Sequence, residues 1–489
     1  MTDKLIKSMR ESAAMRWLVL TIVAVSMLTL YLFQEIISPL KPMLEKAYGW
    51  SSSDFGLVTG AYGWLNVFLL MLVLVGILLD KIGVRISAIF AMFIAFSGAL
   101  IKWYAFKYID PSLELGIFGL KTQVAIAGLG FSIFGVGTEY AGITVSKIIV
   151  KWFKGKEMAL AMGMEMAFAR LGSFLALLFA PIIVAKLSIP GNVLLGTGLL
   201  LFGMLLFIIY FFFDVKIDKQ EGYSKATLTD DEKFQLSDIK LIITNKGFWY
   251  IALLCVLFYS AVFPFYKFGP DLMVNKFGIA ESKAGQIPSL IPLFTILLTP
   301  VFGFFYDKKG KGASIMYLGA ALIIIAHLIL WVPTFNTIGF ALVAIAFLGI
   351  AFSLVPSAMW ASVPKIIPEK QLGTAFALIF WIQNWGLMGI PTLLGKVLDK
   401  TNPETVQKID EARKEFAAMG LTNEQIADKM AEFKIAENIS WDYSKTWLIF
   451  IVLTILSLLL AFLLKREDRI KGYGLEKPNI VQKTEEKPE

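Results

Sequence analysis

Hydrophobic residues recur along the chain in runs of about 20, separated by short polar stretches. A helix rises about 1.5 Å per residue, so a run of this length crosses the roughly 30 Å of hydrocarbon in a bilayer. The pattern predicts twelve transmembrane helices, six in each half of the chain. We place them at residues 16–40, 54–79, 85–106, 123–150, 157–186, 191–213, 248–274, 283–306, 313–333, 338–364, 371–398 and 446–464.

The polar segment 214–246 divides the two halves. We therefore predict an N-terminal six-helix bundle over 1–213 and a C-terminal bundle over 247–464, joined by a cytoplasmic linker over 214–246. Residues 465–489 are rich in charge and are predicted to form a disordered cytoplasmic tail. Lysine and arginine concentrate in alternate short loops, which places both chain termini in the cytoplasm.

Composition narrows the class of protein. The chain is 57% hydrophobic and 17% charged, whereas soluble domains carry about 25% charged residues. The net charge of +8 does not indicate nucleic-acid binding, because the basic residues lie between apolar runs and form no single basic face. The single cysteine, Cys255, excludes internal disulfides. We find no nucleophile–base set, phosphate loop or metal-ligand cluster, and predict neither enzyme activity nor a cofactor or metal.

One outer connection, residues 400–445, is unusually long. Its pattern predicts two amphipathic helices separated by Gly420, the second opened by a capping box from Thr422 to Gln425. We interpret the insertion as a small lid on the outer end of the bundle. Docking of an accessory partner, or delivery of substrate, is the alternative.

An internal repeat identifies the fold. GILLDKIGVR (76–85) and GFFYDKKGKG (303–312) share the pattern G-x-x-x-D-K-x-G at the inner end of the second helix of each half. A pattern that occurs twice at matching places indicates duplication. In a six-plus-six chain this signature resembles the major facilitator superfamily, which implies an all-α membrane protein with twelve transmembrane helices in two six-helix halves.

The repeat also predicts a conformational latch. Gly76 and Gly303 would permit close helix contact, and Asp80 and Asp307 would accept hydrogen bonds from helix N-terminal amides. The remaining latch residues are the turn glycines and the basic positions that follow them: Gly83, Gly310, Arg85 and Lys311.

Two opposite charges lie deep within apolar helices. Glu139 precedes the inner hairpin near Lys154 by 15 residues and Arg170 follows it by 16, so both rise roughly 20 Å from the inner surface. The corresponding positions of the other half are neutral, Ser353 and Asn384. The two charges are either a buried ion pair that locks two helices, or a receptor in which Arg170 holds a carboxylate and Glu139 an ammonium group. We favour the receptor, because a closed buried pair contributes little net stability.

Several longer stretches resemble one branch of that superfamily, the major facilitator superfamily domain-containing protein 1 branch of lysosomal dipeptide uniporters and their bacterial relatives. They are WFKGKE (152–157), ARLGS (169–173), AVFPF (261–265), PVFGFFYDKKGK (300–311), PEKQLGTA (368–375), IQNWGL (382–387) and VLD (397–399). The family holds its dipeptide with a glutamate of the fourth helix and an arginine of the fifth. The matching residues are Glu139, inside GVGTE, and Arg170, inside ARLGS.

Further substrate contacts are expected from polar and aromatic residues of other helices. Tyr62, Asn66 and Tyr259 would shape a cavity, and Gln383 and Asn384 would bond a peptide amide. We predict a carrier of small zwitterions, chiefly dipeptides, that works as a uniporter in the lipid bilayer. The alternatives are a proton-coupled symporter of peptides, amino acids or small organic anions, and a transporter-like sensor.

The insertion and the basic tail are not typical of the lysosomal members, and no acidic dileucine signal lies near the N-terminus. We therefore expect the plasma (inner) membrane of a bacterium, with the lysosomal membrane as the alternative.

Overall fold

The computed structural model describes residues 9–115, 119–153, 156–221, 236–368 and 371–479, except for the side chains of Asp80, Ala159, Glu221 and residues 236–238. The predicted linker residues 222–235 and tail residues 480–489 therefore lie outside the description. The helices of the N-terminal half are α1 (Ala13–Glu35), α2 (Lys41–Tyr48), α3 (Ser52–Gly60), α4 (Trp64–Phe68), α5 (Met71–Ile82), α6 (Val84–Tyr108), α7 (Thr122–Phe153) and α8 (Met158–Glu221). A two-stranded hairpin, β1 (Glu114–Leu115) with β2 (Leu120–Lys121), connects α6 to α7.

The C-terminal half follows a short helix, α9 (Leu236–Ile243). Its helices are α10 (Lys246–Phe277), α11 (Gln286–Lys309), α12 (Gly312–Trp331), α13 (Ile338–Ile366), α14 (Leu372–Thr401), α15 (Pro403–Ala418), α16 (Asn423–Ala436) and α17 (Ser444–Lys471). The prediction of an all-α membrane fold is confirmed.

Among the described residues, ten apolar helical segments are long enough to cross a membrane and one bent helix pair passes the same test, which accounts for the twelve predicted crossings once α8 is counted twice. The second crossing is broken, because Ser52–Phe68 and Met71–Leu79 meet at 61° where Leu70 adopts a left-handed conformation. The fifth and sixth crossings run together as α8, which has 64 residues. At about 1.5 Å per residue this is some three bilayer cores long, and the helix breaks at Ser188 (φ 65°), just before Pro190. It therefore supplies two crossings.

The two halves meet at one end of the bundle. The first and last described segments lie at the opposite end, which we call the inner end: Arg16 pairs there with Glu157 of the hairpin between α7 and α8, and Asn479 bonds to Asp307 at the end of α11. At the outer end, Lys41 of the N-terminal half pairs with Asp271 of the C-terminal half at 2.7 Å. The amides of Ser52 and Ser53, at the start of α3, donate to the carboxylate of Asp399 at the end of α14.

Small residues let the outer parts of α3 and α14 approach closely. A Cβ atom at Gly56 would lie 2.3 Å from the Pro391 carbonyl oxygen, and one at Gly395 would lie 2.1 Å from that of Ser52. Below this contact, the second crossing bends by 61° between α4 and α5. The conformation is thus closed at its outer end.

The insertion forms the two predicted helices, α15 and α16, and Thr422 with Gln425 forms the predicted capping box. It belongs to the C-terminal half but bonds to the N-terminal half. The Arg413 guanidinium donates to the backbone oxygens of Lys46 and Ala47, and Lys434 pairs with Glu45 at 2.7 Å. Burial opposes the charged form of Lys434, yet the Glu45 carboxylate leaves its pKa raised. The insertion lies on the outer end as predicted, and we call residues 403–436 the lid.

The structure corrects part of the latch prediction. Gly83 and Gly310 make the turns, with φ of 79° and 71°. A Cβ atom at Gly76 or Gly303 would meet nothing within 4 Å, so the predicted close helix contact is wrong for this conformation. No described atom of the other half packs against either glycine here.

The charged latch residues also differ from expectation. The Asp307 carboxylate accepts from the side chain of Asn479 at 2.8 Å and not from a helix N-terminus. Arg85 pairs with Asp214 and Asp218 of its own half. Lys311 acts through its backbone, whose N–H donates to the Glu476 carbonyl. The predicted role of Asp80 lies outside the described side chains.

The tail is ordered further than the sequence predicts. Helix α17 continues through the charged residues to Lys471, and residues 472–479 dock on the inner end of the C-terminal half. Leu475 is fully buried there. The Glu476 carboxylate accepts from the amide and hydroxyl of Ser314, in the first turn of α12. We call residues 472–479 the docked tail.

Candidate substrate site

Glu139 lies half-buried on α7 at the centre of the bundle. Its carboxylate accepts a hydrogen bond of 2.9 Å from the phenol of Tyr62, which lies in the turn between α3 and α4. Gly135, one turn before Glu139, allows this approach, because a Cβ there would lie 2.3 Å from the Tyr62 carbonyl oxygen. The carboxylate is thus fixed in orientation while part of it faces the space between the halves.

Arg170 lies on α8 and is 9% exposed. No described carboxylate lies within 4 Å of its guanidinium, and its Nη1 atom has no hydrogen-bond partner. Three aromatic rings surround it instead: its Cζ atom lies 4.8 Å from the ring centroid of Phe352, 5.4 Å from Phe263 and 5.8 Å from Tyr31. Rings partly stabilise a buried cation but leave its N–H groups without acceptors. The closed ion pair that would lock two helices is therefore not formed.

The two charges nevertheless face one region. Tyr62, which bonds to the Glu139 carboxylate, and Phe263, which contacts the Arg170 guanidinium, line the same small void. Glu165, five residues before Arg170 on α8, lies within electrostatic range of both Tyr31 and Arg170. The site thus holds two carboxyl groups, those of Glu139 and Glu165, and one guanidinium group, that of Arg170.

The other predicted residues divide into three groups. Asn66 donates to the Asn384 side-chain oxygen at 3.5 Å, and both amides are fully buried. The Tyr259 ring packs 5.5 Å from that of Phe263, so it borders the rings around Arg170, and its oxygen accepts from Trp360. Gln383 accepts from the thiol of Cys255 at 3.4 Å. The structure gathers Glu139, Tyr62, Asn66 and Asn384 on one side and Arg170 and Tyr259 on the other, and turns Gln383 towards α10.

Sequence reasoning missed Tyr31, Phe263, Phe352 and Glu165. The three aromatic residues carried no signal, because similar residues are frequent throughout the apolar runs. Glu165 did carry a sequence signal. It is a carboxylate inside MEMAFAR, in a predicted membrane span, and a charged group in a span is a functional candidate because its burial in lipid is energetically unfavourable.

A small void of about 20 Å³ lies on the outer side of these residues. Tyr62, Phe263, Gln34, Glu35 and Lys267 contribute to its lining. Such a volume holds about one water molecule and is too small for a dipeptide.

Comparison with known proteins agrees with this architecture. The family model described as Major Facilitator Superfamily matches residues 23–391. The mouse (Mus musculus) protein named lysosomal dipeptide transporter MFSD1 is 30% identical over 362 residues, which cover 71% of this chain and 73% of that protein. The human (Homo sapiens) protein of the same name is 29% identical over 360 residues, 71% and 72% of the two chains. The crystal structure of a bacterial homologue of the human lysosomal transporter Spinster, inward-facing and unoccupied, superposes with a TM-score of 0.66 at 15% identity, covering 93% of this chain and 98% of that one.

Proposed function

This chain belongs to the major facilitator superfamily and is a membrane transporter, and from that premise we propose that it moves small zwitterions, chiefly dipeptides, by alternating access as a uniporter. The relatives named as dipeptide transporters support the choice of substrate. The location of Glu139 and Arg170 between the halves supports the same choice.

One observation carries the proposal: the Arg170 guanidinium is buried without a hydrogen-bond acceptor for Nη1. An unpaired buried cation is costly, and a planar guanidinium is suited to two parallel bonds with a carboxylate. A ligand carboxylate would remove that cost. The cost of the empty site thus becomes part of the ligand's binding energy.

The other end of the ligand would meet Glu139. A dipeptide carries an ammonium group at one end and a carboxylate at the other, so it completes a pair of charges that do not reach each other. Asn66 and Asn384 carry amide groups beside Glu139, which suit the peptide bond. The rings of Phe263 and Phe352 would contact the side chains without selecting one hydrogen-bonding pattern.

We propose a uniporter because Glu139 and Arg170 would both bind the charged ends of the ligand, so neither is left to carry a proton. Glu165 favours the second candidate, a proton-coupled symporter. Its side chain is only 9% exposed, and no basic group of the described residues lies within 4 Å of its carboxylate. Accumulation of a dipeptide above equilibrium in proteoliposomes, driven by an imposed proton gradient, would establish symport. Equilibration that ignores the gradient is the result expected of a uniporter.

Chemical changes to the ligand test the assignment of charges. We expect amidation of the dipeptide carboxylate to weaken binding to the wild-type protein by about 30-fold or more, the usual range for removing one partner of a buried charge pair. The same amidation should weaken binding to the Arg170→Leu variant almost no further. N-acetylation should show the same dependence on Glu139→Gln. Independent, additive losses in isothermal titration would instead mean that these charges do not hold the two ends of the ligand.

A further inference from the structure

One fully buried lysine lies outside the substrate site. Lys102 of α6 is fully buried, and its Nζ atom has no hydrogen-bond partner. The ammonium group lies 3.7 Å from the ring centroid of Phe131 and 5.5 Å from that of Phe33. Helices α6 and α7 pack closely here, because a Cβ at Gly130 would lie 2.6 Å from the backbone nitrogen of Lys102.

An ion pair that joins the two halves lies beside it. Lys267 of α10 contacts the Glu35 carboxylate of α1 at 2.5 Å and the Ser38 hydroxyl at 2.9 Å. The Phe131 ring, against which the Lys102 ammonium group lies, lines the same small void as Glu35 and Lys267. The second oxygen of Glu35, Oε1, is buried without a partner. Around this void Glu35 thus bonds to the lysine of the other half, while Lys102 of its own half and the Oε1 atom of Glu35 are both without a hydrogen-bond partner.

We propose that Lys102 replaces Lys267 as the partner of Glu35 when the outer end opens. Glu35 and Lys102 belong to the same half, whereas Lys267 belongs to the other and moves away with it. Without a substitute, Glu35 would remain as an uncompensated buried charge, which is strongly unfavourable. The flexible four-carbon stem of lysine lets its ammonium group move from the Phe131 ring to the free Oε1 atom.

This exchange makes the charge of Glu35 independent of the state of the carrier. It rests on the alternating access that we propose for the protein, but not on the identity of the substrate. Two lysines therefore have opposite effects on one equilibrium: Lys267 stabilises the closed outer end, and Lys102 stabilises the open one.

Cysteine accessibility measures that equilibrium without any substrate. Thr59 is buried on the outer side of the site and lines the small void, so Thr59→Cys in a Cys255→Ala background reports outer opening. In nanodiscs we expect Lys267→Met to raise the rate of maleimide labelling about tenfold and Lys102→Met to lower it by a similar factor. Lys276→Met is the matched control: Lys276 bonds to backbone oxygens of its own half and should leave labelling unchanged.

Two further variants decide the cause. Lys102→Arg keeps the charge, so its labelling rate should be close to that of the parent protein and not to the lowered rate of Lys102→Met. In a Glu35→Gln background, Lys102→Met should no longer change the labelling rate. Labelling that is unchanged in Lys102→Met, or raised as in Lys267→Met, overturns the proposal. If Lys102→Met does not fold, labelling of Lys102→Gln takes its place. A failure of dipeptides to bind would refute the proposed substrate and leave these rates untouched.

Discussion

The two copies of the G-x-x-x-D-K-x-G signature make the same turn but face different surroundings. Gly83 and Gly310 both have positive φ, as the duplication requires. A Cβ at Gly83 would meet nothing within 4 Å, whereas one at Gly310 would lie 2.5 Å from the Glu476 oxygen of the docked tail. Among the described residues, the N-terminal loop is bare at Gly83, whereas the C-terminal loop is covered by its own chain.

The difference teaches that duplication has preserved a turn and not a role. The bare loop is free to meet the other half when the inner end closes. The covered loop has its backbone amides already bonded, since Lys311 and Gly312 donate to the docked tail. The centre of the molecule shows the same division, with the charges Glu139 and Arg170 in one half and the neutral Ser353 and Asn384 at the corresponding positions of the other.

The strongest test of that division compares the corresponding positions Arg170 and Asn384. We expect Arg170→Leu to weaken dipeptide binding by about 2–5 kcal/mol, roughly 30-fold to several-thousand-fold, because it leaves the ligand carboxylate without its cation. Asn384→Leu removes one neutral hydrogen bond and should cost about 1 kcal/mol. Isothermal titration measures both, and equal losses would show that the two halves contribute alike.

The docked tail is tested through its one fully buried side chain. Leu475→Ala should lower the free energy of unfolding by about 2–4 kcal/mol, since it removes buried methyl groups and leaves a cavity. Leu241→Ala, at a 60% exposed position, is the matched control and should change it little. Thermal unfolding in detergent reports both variants, and an unchanged melting temperature for Leu475→Ala would show that the tail does not dock.

The two turn glycines provide a smaller, paired test. Gly83→Ala should cost about 1 kcal/mol or slightly more, because an L residue is strained at positive φ. Gly310→Ala should cost more, since its methyl group would also displace the docked tail. Truncation after Gly472 should remove this excess, so that the two substitutions become equal in the truncated protein. An excess that survives truncation would have to come from another contact.

The smallest effect is expected at the carboxylate of the docked tail. Glu476→Gln keeps the shape but loses the negative charge at the N-terminus of α12, which should cost about 0.3–1 kcal/mol. Because such an interaction is screened by salt, the loss should shrink between low and high ionic strength. A loss that is independent of salt would indicate packing and not charge.

The sequence predicts the fold well because lipid imposes a simple rule on length and polarity. Counting residues from the inner hairpin predicts that Glu139 and Arg170 lie at a similar depth, since helical rise is constant, and in the structure the first is half-buried and the second buried. The rings around Arg170 could not be predicted, because Phe263 and Phe352 come from the other half and resemble many other apolar residues. The docked tail escaped notice for a similar reason: Leu475 is one apolar residue in a polar stretch, and its contacts are distant in the chain.

The lid affects how fast the outer end of the carrier can open. Opening the outer end requires the bonds of Arg413 and Lys434 to α2 to break, together with the contacts between α3 and α14. Breaking bonds raises the barrier to leaving a state, so these contacts prolong the outer-closed state. Shortening the lid is therefore expected to speed outer opening without touching the proposed binding site.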